Sequence, residues 1–340
     1  MSETTVGLLH PGEMGAAVGQ CLTAAGHRVL WVPEGRSAAS AARAAAAGLT
    51  VASGGLAGLV READVIVSVC PPHAALGVAR EVAALGVARE VAALEGARQE
   101  AGFGGVYVDA NAVSPDTARE IAVIVEAGGA SYVDGGIIGT PPVAPGFIRL
   151  YLSGARAGEV QRLFAGGAVD ARVIGGDGLA DADGSVGGDG LVGGDGLVGS
   201  DGLVGDDGLV GDDGLVGDDG LVGDGLFAAS AVKMAYASWT KGSAALLLAA
   251  RALARAEGVE DTLLAEWGAS QPGLSERSAR AAGSAAAKGW RWVAEMEEIA
   301  AAMAAAGLPD GFHLAAAEIY RRAQDAPAPD AILTTLLPPH

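Results

Sequence analysis

Short apolar runs alternate with alanine-rich stretches through the first 175 residues. The runs at 5–9, 28–32, 65–69, 106–109, 132–135, 150–152 and 172–174 are short and largely apolar, as suits strands covered on both faces. Between them, 16–25, 37–46, 73–95, 115–126 and 158–165 read as helices, with Ser114 ahead of Pro115 as a cap followed by a first-turn proline. Alternation of this kind builds a parallel sheet flanked by helices. From 227 to 323 the strand signal disappears and long helical segments follow, broken near Gly258, at Pro272 and Gly273, and from Gly307 to Pro309. The pattern predicts an α/β domain over 1–175, an intervening segment over 176–226, an all-helical domain over 227–325 and a poorly ordered proline-containing tail over 326–340.

Two internal repeats interrupt this plan. The nonapeptide ALGVAREVA at 75–83 recurs at once at 84–92. Nine residues are 2.5 helical turns, so the copy lengthens a helix by roughly 13 Å and turns its far end by about half a turn. The two copies therefore cannot bury the same face. The second repeat is a six-residue unit, DGLVG plus one residue, running from Asp189 to about Gly223. Aspartate and glycine at fixed spacing beside an apolar pair could form a calcium-binding array or a solenoid. The known calcium-binding solenoid unit has about nine residues rather than six. Each unit also offers one Leu-Val pair against glycines that resist ordering, which favours a flexible low-complexity tract.

That tract explains the unusual charge. With its surroundings, from Asp177 to Asp224, it holds 13 aspartates and no basic residue, so the rest of the chain carries only −6 of the total −19. The acidity disfavours nucleic acid and anionic lipid as partners, since both are read through clustered positive charge. Cys21 and Cys70 are too few for a disulfide framework, no metal-ligand spacing occurs, and a reduced, cytoplasmic setting is expected. His73 and His313 read as surface or cap residues. The start carries Glu3 and no basic region, and no run of 18 apolar residues appears, so neither export nor membrane insertion is expected.

The chemistry begins directly after the first run. The segment His10-Pro11-Gly12-Glu13-Met14-Gly15 leads into an alanine-rich helix. A glycine turn between strand and helix lets backbone N–H groups and the helix N-terminus approach a pyrophosphate. His10 stands in the first glycine slot of the GxGxxG frame, with Gly12 and Gly15 in the other two. A Rossmann dinucleotide-binding domain follows from this context. Near the end of the second run, Arg36 and Ser37 suit the 2′-phosphate of NADP, with NAD as the alternative and Glu34 read as a solvated carboxylate.

Lysine is scarce. Only Lys233, Lys241 and Lys288 occur beside 19 arginines, and lysine, unlike arginine, can release a proton at accessible pH. Lys233, Tyr236, Ala237 and Thr240 share one helical face. Lys233 there is either a proton donor to a carbonyl being reduced or a lysine snorkelling from an amphipathic helix.

Together these segments resemble the superfamily of 3-hydroxyisobutyrate dehydrogenase and 6-phosphogluconate dehydrogenase, the β-hydroxyacid dehydrogenases. The family's GLGxMG turn is matched by residues 10–15, and the strand end before a proline by Ser68-Val69-Cys70-Pro71. Its DxSTxxP loop is echoed by Asp109-Ala110-Asn111-Ala112-Val113-Ser114-Pro115, and its DAPVSGG substrate loop by residues 134–140. The resemblance implies a Rossmann domain followed by an all-α domain, Lys233 as the catalytic residue, and a homodimer acting on a small-molecule substrate. It implies cofactor contacts from His10 to Gly15 and from Cys70, Pro71 and Asn111. Substrate contacts would come from Gly135, Gly136, Ile138, Gly139, Tyr236, Thr240 and Trp290. The departures bear on substrate. Ala237 replaces the asparagine four residues after the lysine, and Ile138 replaces the substrate-loop serine, so backbone amides of 135–139 would have to grip the ligand. Imine reductases share the fold but generally lack the lysine, so Lys233 argues for carbonyl or alcohol chemistry. Trp290 is read as lining a pocket or interface, or as helix packing beside a solvated acidic face at 295–298. A nucleotide-binding protein without catalysis, or a scaffold built on the repeat, remain the competing classes.

Overall fold

The computed structural model describes residues 3–94, 103–141, 147–175, 225–326 and 328–337. The hexad tract lies outside the described residues.

Among the described residues eight strands form one sheet: β1 (Thr5–Leu9), β2 (Arg28–Trp31), β3 (Thr50–Val51), β4 (Val65–Ser68), β5 (Val106–Asp109), β6 (Ser131–Ile138), β7 (Ile148–Ser153) and β8 (Val169–Val173). Their order is β3-β2-β1-β4-β5-β6-β7-β8, parallel except where β7 runs antiparallel to β6. The helices are α1 (Glu13–Ala24), α2 (Ala38–Ala46), α3 (Gly55–Glu62), α4 (Pro72–Leu94), α5 (Pro115–Ala127) and α6 (Ala157–Arg162). Alternate side chains feed two cores. Val6, Leu8, Val65, Val67, Val106 and Val108 pack on one face, and Leu30, Ile66 and Tyr107 on the other. The order reverses between β1 and β4, which opens a crevice at the carboxyl ends of the strands.

The duplicated nonapeptide forms one continuous helix and changes face as its length requires. Ala75 is fully buried while its copy Ala84 is exposed. Gly77 is exposed while its copy Gly86 is buried, where a Cβ would stand 2.4 Å from the Gly128 carbonyl oxygen.

The second domain consists of α7 (Ala228–Ala256), α8 (Glu260–Ser270), α9 (Leu274–Ala305) and α10 (Gly311–Ala323), with breaks at the glycine and proline positions expected. Three expectations need correction. The strand β3 and helix α3 were not anticipated, because two exposed strand residues and a helix of eight are too short to stand out as runs. The tail is not a loose end: a 3₁₀ turn (Pro329–Ala331) and α11 (Ile332–Thr335) bury Ile332, Leu333 and Leu336 against the helical core. His313 is no surface residue, since it is buried on α10 with Nε2 2.9 Å from Ser238 Oγ. His73 is exposed, as read.

Gly175 and Gly225, which flank the hexad tract, lie together: a Cβ on Gly175 would meet the Gly225 carbonyl oxygen at 2.2 Å. The chain thus leaves the sheet and returns to α7 at one point.

Candidate functional site

At the β1–α1 turn, His10 is the one non-glycine residue with positive φ among the described residues, at +70°. Histidine tolerates this left-handed region better than most side chains, so it can occupy a slot that glycine fills without strain. Gly12 caps the N-terminus of α1, and a Cβ there would meet nothing within 4 Å. That open space lies over first-turn amides, as a phosphate requires. Gly15 cannot carry a side chain, because its Cβ would stand 2.4 Å from the His10 carbonyl oxygen. Pro11 is buried, Met14 packs on the core, and Glu13 stays half exposed, with Arg291 of α9 reaching it at 3.6 Å.

Beside the turn opens a cavity of about 540 Å³, whose lining includes His10, Glu34, Arg36, Gly54, Leu56 and Glu81. Burial, helped by the charge of Arg36, pushes the His10 imidazole down to about 4. It is therefore neutral, and its buried Nδ1 has no hydrogen-bond partner among the described residues. Arg36 projects into this cavity, whereas Ser37 caps α2 by accepting from the Ser40 amide. Glu34 is exposed but lines the same cavity as Arg36.

Cys70 and Asn111 join the ends of β4 and β5. The Cys70 amide donates to Asn111 Oδ1 at 2.6 Å, and Asn111 Nδ2 donates to Ser68 Oγ at 3.1 Å and to the Asp109 carboxylate. Burial and the Asp109 charge push the Cys70 thiol up to about 12, so it is not a nucleophile. Pro71 stands at the entry to α4.

The segment expected as a substrate loop is instead strand. β6 runs through Ile138, with Gly135 opposite Leu152 and Gly136 opposite Tyr151 of β7. β5 ends at Asp109 opposite Asp134, so among the described residues the other edge of β6 has no strand partner from Gly135 onward. α7 seats on this strand. Asp134 is fully buried and accepts from the Ser230 amide and hydroxyl and from Ser153 Oγ, while Ser153 Oγ accepts from the Ala229 amide. A Cβ on Gly136 would stand 2.5 Å from the Ala229 carbonyl oxygen and 3.1 Å from Lys233 Cβ. Lys233 is thus fixed beside Gly136. Ile138 is buried, and Gly139 has a φ of +129° at the strand end.

Lys233 does not stand alone. Its Nζ is 3.5 Å from Glu295 Oε1, and Lys241 contacts the other oxygen of that carboxylate. The expected solvated acidic face at 295–298 is corrected here. Glu295 is buried, and Glu298 accepts from the Ser114 amide at 2.7 Å and Thr117 Oγ1 at 2.8 Å across the domain junction. Burial alone would raise Glu295, but the two ammonium groups hold it below the usual carboxylate range. Tyr236 and Trp290 are exposed, at 46% and 53%, and Thr240 donates to the Tyr236 carbonyl. The tryptophan that reaches the lysines is Trp292, whose ring lies 5.7 Å from Lys241 Nζ. Glu295 carries a readable signal: it occupies an inward position of α9 between Trp292 and Ile299, where an acid must have a partner.

Among the described residues no group of three or more His, Cys, Asp or Glu side chains is arranged to hold a metal, and no helix is long and apolar enough to cross a membrane.

Residues 5–163 match the NAD binding domain of 6-phosphogluconate dehydrogenase, and 254–323 match a domain of unknown function, DUF1932. No curated protein sequence matches the chain. Among solved structures it is similar to a conserved hypothetical protein from Sinorhizobium meliloti 1021, at 22% identity and a TM-score of 0.57, covering 98% of this chain and 96% of that one. The 3-hydroxyisobutyrate dehydrogenase of Mycobacterium tuberculosis, solved with L-serine, gives 18%, 0.55, and coverage of 99% and 100%. That of Salmonella typhimurium gives 15%, 0.58, and coverage of 98% and 99%. These likenesses show a shared fold across both domains. Residues 5–163 are thus an NAD-binding domain of the 6-phosphogluconate dehydrogenase type, followed by a helical second domain in the two-domain fold that the 3-hydroxyisobutyrate dehydrogenases share.

Proposed function

We propose that this chain is a cytoplasmic, homodimeric, NADP-dependent oxidoreductase that moves a hydride between nicotinamide and a small carbonyl or hydroxy compound, with Lys233 exchanging the proton. The observation that carries the reading is the placement of Lys233 against Gly136, on the stretch of β6 that runs past the end of β5. A ligand lying over the carboxyl ends of the strands would meet this ammonium and the unpaired edge of β6 together.

The residues present suit the dinucleotide. Gly12 leaves room over the α1 amides, and the adjoining cavity offers the neutral His10 and the cationic Arg36. Arg36 favours the 2′-phosphate of NADP, and Glu34 in the same cavity is the group that would favour NAD. Bound nicotinamide would supply or take up the hydride. Lys233 would give its proton to the oxygen that gains negative charge during reduction, and take it back during oxidation. The backbone groups of Gly135 to Ile138 on the open edge would orient the substrate, because Ile138 and Ala237 bring no polar side chain.

An apolar stripe on α7 supports the dimer. Val232, Tyr236, Trp239, Leu246 and Leu253 are all exposed, at spacings that keep them on one side of the helix. The two unpaired cysteines accord with a reducing compartment.

The test is binding and turnover with NADPH and NADH over a panel of carbonyls, hydroxyacids and imines. Lys233→Met is expected to lower kcat by about 10²- to 10⁴-fold and leave NADPH binding intact. Arg36→Glu is expected to reverse the preference between the nucleotides. Unchanged turnover in Lys233→Met refutes the catalytic assignment, and NADPH binding without turnover on any substrate refutes the enzyme.

A further inference from the structure

Behind Lys233 the helical domain encloses two more ionisable groups. Glu295 is 6% exposed at its side chain, yet one of its oxygens faces Lys233 Nζ at 3.5 Å and the other contacts Lys241 Nζ. Two cations on one buried anion leave a positive charge in excess, which a site removed from water disfavours. The other titratable groups facing Lys241 are Arg291 from α9, which adds positive charge, and Tyr320 from α10, whose hydroxyl donates to the Lys241 carbonyl at 2.6 Å. Burial brings the Lys241 ammonium down to about 8, with Lys233 adding to the effect and Glu295 opposing it. Lys241 can therefore release and recover a proton near neutral pH. It keeps 20% of its side-chain exposure, so it also has access to water.

Taking Lys233 as the residue that exchanges a proton with substrate, we propose that Glu295 and Lys241 form the path by which that proton is replaced from, or released to, solvent. The protons balance at each hand-over. In reduction, an N–H bond of the Lys233 ammonium breaks and an O–H bond forms on the substrate oxygen. The Lys241 ammonium then protonates the Glu295 oxygen that it faces, the carboxyl group turns and passes that proton to the neutral Lys233 amine on its other side, and a proton from solvent restores the Lys241 ammonium. Oxidation runs the sequence backwards. Neither residue touches the substrate; both act through Lys233.

Lys241→Arg separates proton transfer from charge. Arginine keeps the cation and the pairing with Glu295, but it holds its proton throughout the working range. Lys241→Arg and Lys241→Met are each expected to lower kcat by about 10- to 100-fold with little change in KM, and added small amines to restore part of the Lys241→Met turnover. Full turnover in Lys241→Arg overturns the proposal, since a role in positioning alone would survive there. A second measurement does not depend on turnover. The chain has three lysines, so ¹³C labelling at lysine Cε gives three signals, and the one missing in Lys241→Arg is Lys241. Its midpoint in the ligand-free full chain is expected at about 8, and lower in Glu295→Gln. A midpoint within about one unit of the ordinary 10.5 overturns the proposal whatever the kinetics. Lys233→Met is the control: wild-type turnover there refutes the assignment of Lys233 itself. Turnover that depends on Lys233 but survives Lys241→Arg refutes only the path.

Discussion

Gly136→Ala tests whether the seat of α7 on β6 sets the position of Lys233. The added Cβ would stand 2.5 Å from the Ala229 carbonyl oxygen and 3.1 Å from Lys233 Cβ. The first contact is with backbone in a helical turn tied down by Asp134 and Ser153, so no side-chain rotation relieves it. Carbon and carbonyl oxygen rest at about 3.3–3.6 Å, so α7 has to lift from the sheet by roughly 1 Å. Overpacking of this kind costs ~1–3 kcal/mol of stability. A displacement of about 1 Å in a reacting group costs on the order of 100-fold in rate. The expected result is a kcat lowered by about two orders of magnitude, a stability loss within that range by urea unfolding, and NADPH affinity changed less than about threefold, because β4 and β5 separate β1 and its turn from β6. A variant whose kcat stays within about threefold of the parent, with the stability loss present, would refute the argument that this seat governs the chemistry.

Asp109 gives a pH dependence. Burial and the Asp134 charge raise its carboxyl from 3.8 to about 7, so the folded chain holds that proton more tightly than the unfolded one. The stabilisation is full below about 4 and is lost as pH rises towards 7; Asp109→Asn should flatten that decline in urea unfolding, and an unchanged slope would assign it to other groups. Deleting residues 178–222 should leave the fold intact and raise stability by at most about 2 kcal/mol, since the flanking glycines already meet and loop closure varies only slowly with length; a deletion variant that fails to fold by circular dichroism would contradict this. Leu333→Ala should cost ~2–4 kcal/mol in urea unfolding, as the side chain is 3% exposed in the helical core, whereas a loose tail would show no loss. Trp239→Asp together with Leu246→Asp should convert the proposed dimer to a monomer in sedimentation while preserving circular dichroism, and a parent that sediments as a monomer would remove the dimer altogether.

What could be read without coordinates was set by neighbours in the chain. Seven of the eight strands follow from local apolar runs, the β1–α1 turn from its glycines, and the helical breaks from glycine and proline, because each depends on residues a few positions apart. The rotation between the two nonapeptide copies follows from helix geometry alone, and the opposite burial of Ala75 and Ala84 bears it out. Lysine scarcity singled out Lys233 and Lys241 by their ability to lose a proton. The composition could not say what those lysines face. Glu295 lies 54 residues beyond Lys241, and only the packing of α9 against α7 brings its carboxylate between the two ammonium groups. The same holds for Asp134 and Ser230, 96 residues apart, and for the tail, whose prolines signal an irregular chain but not the core that three of its apolar side chains enter. Sequence period fixes which side of an element is apolar; what the other side meets is decided when distant elements close on each other and every buried charge has to find its partner.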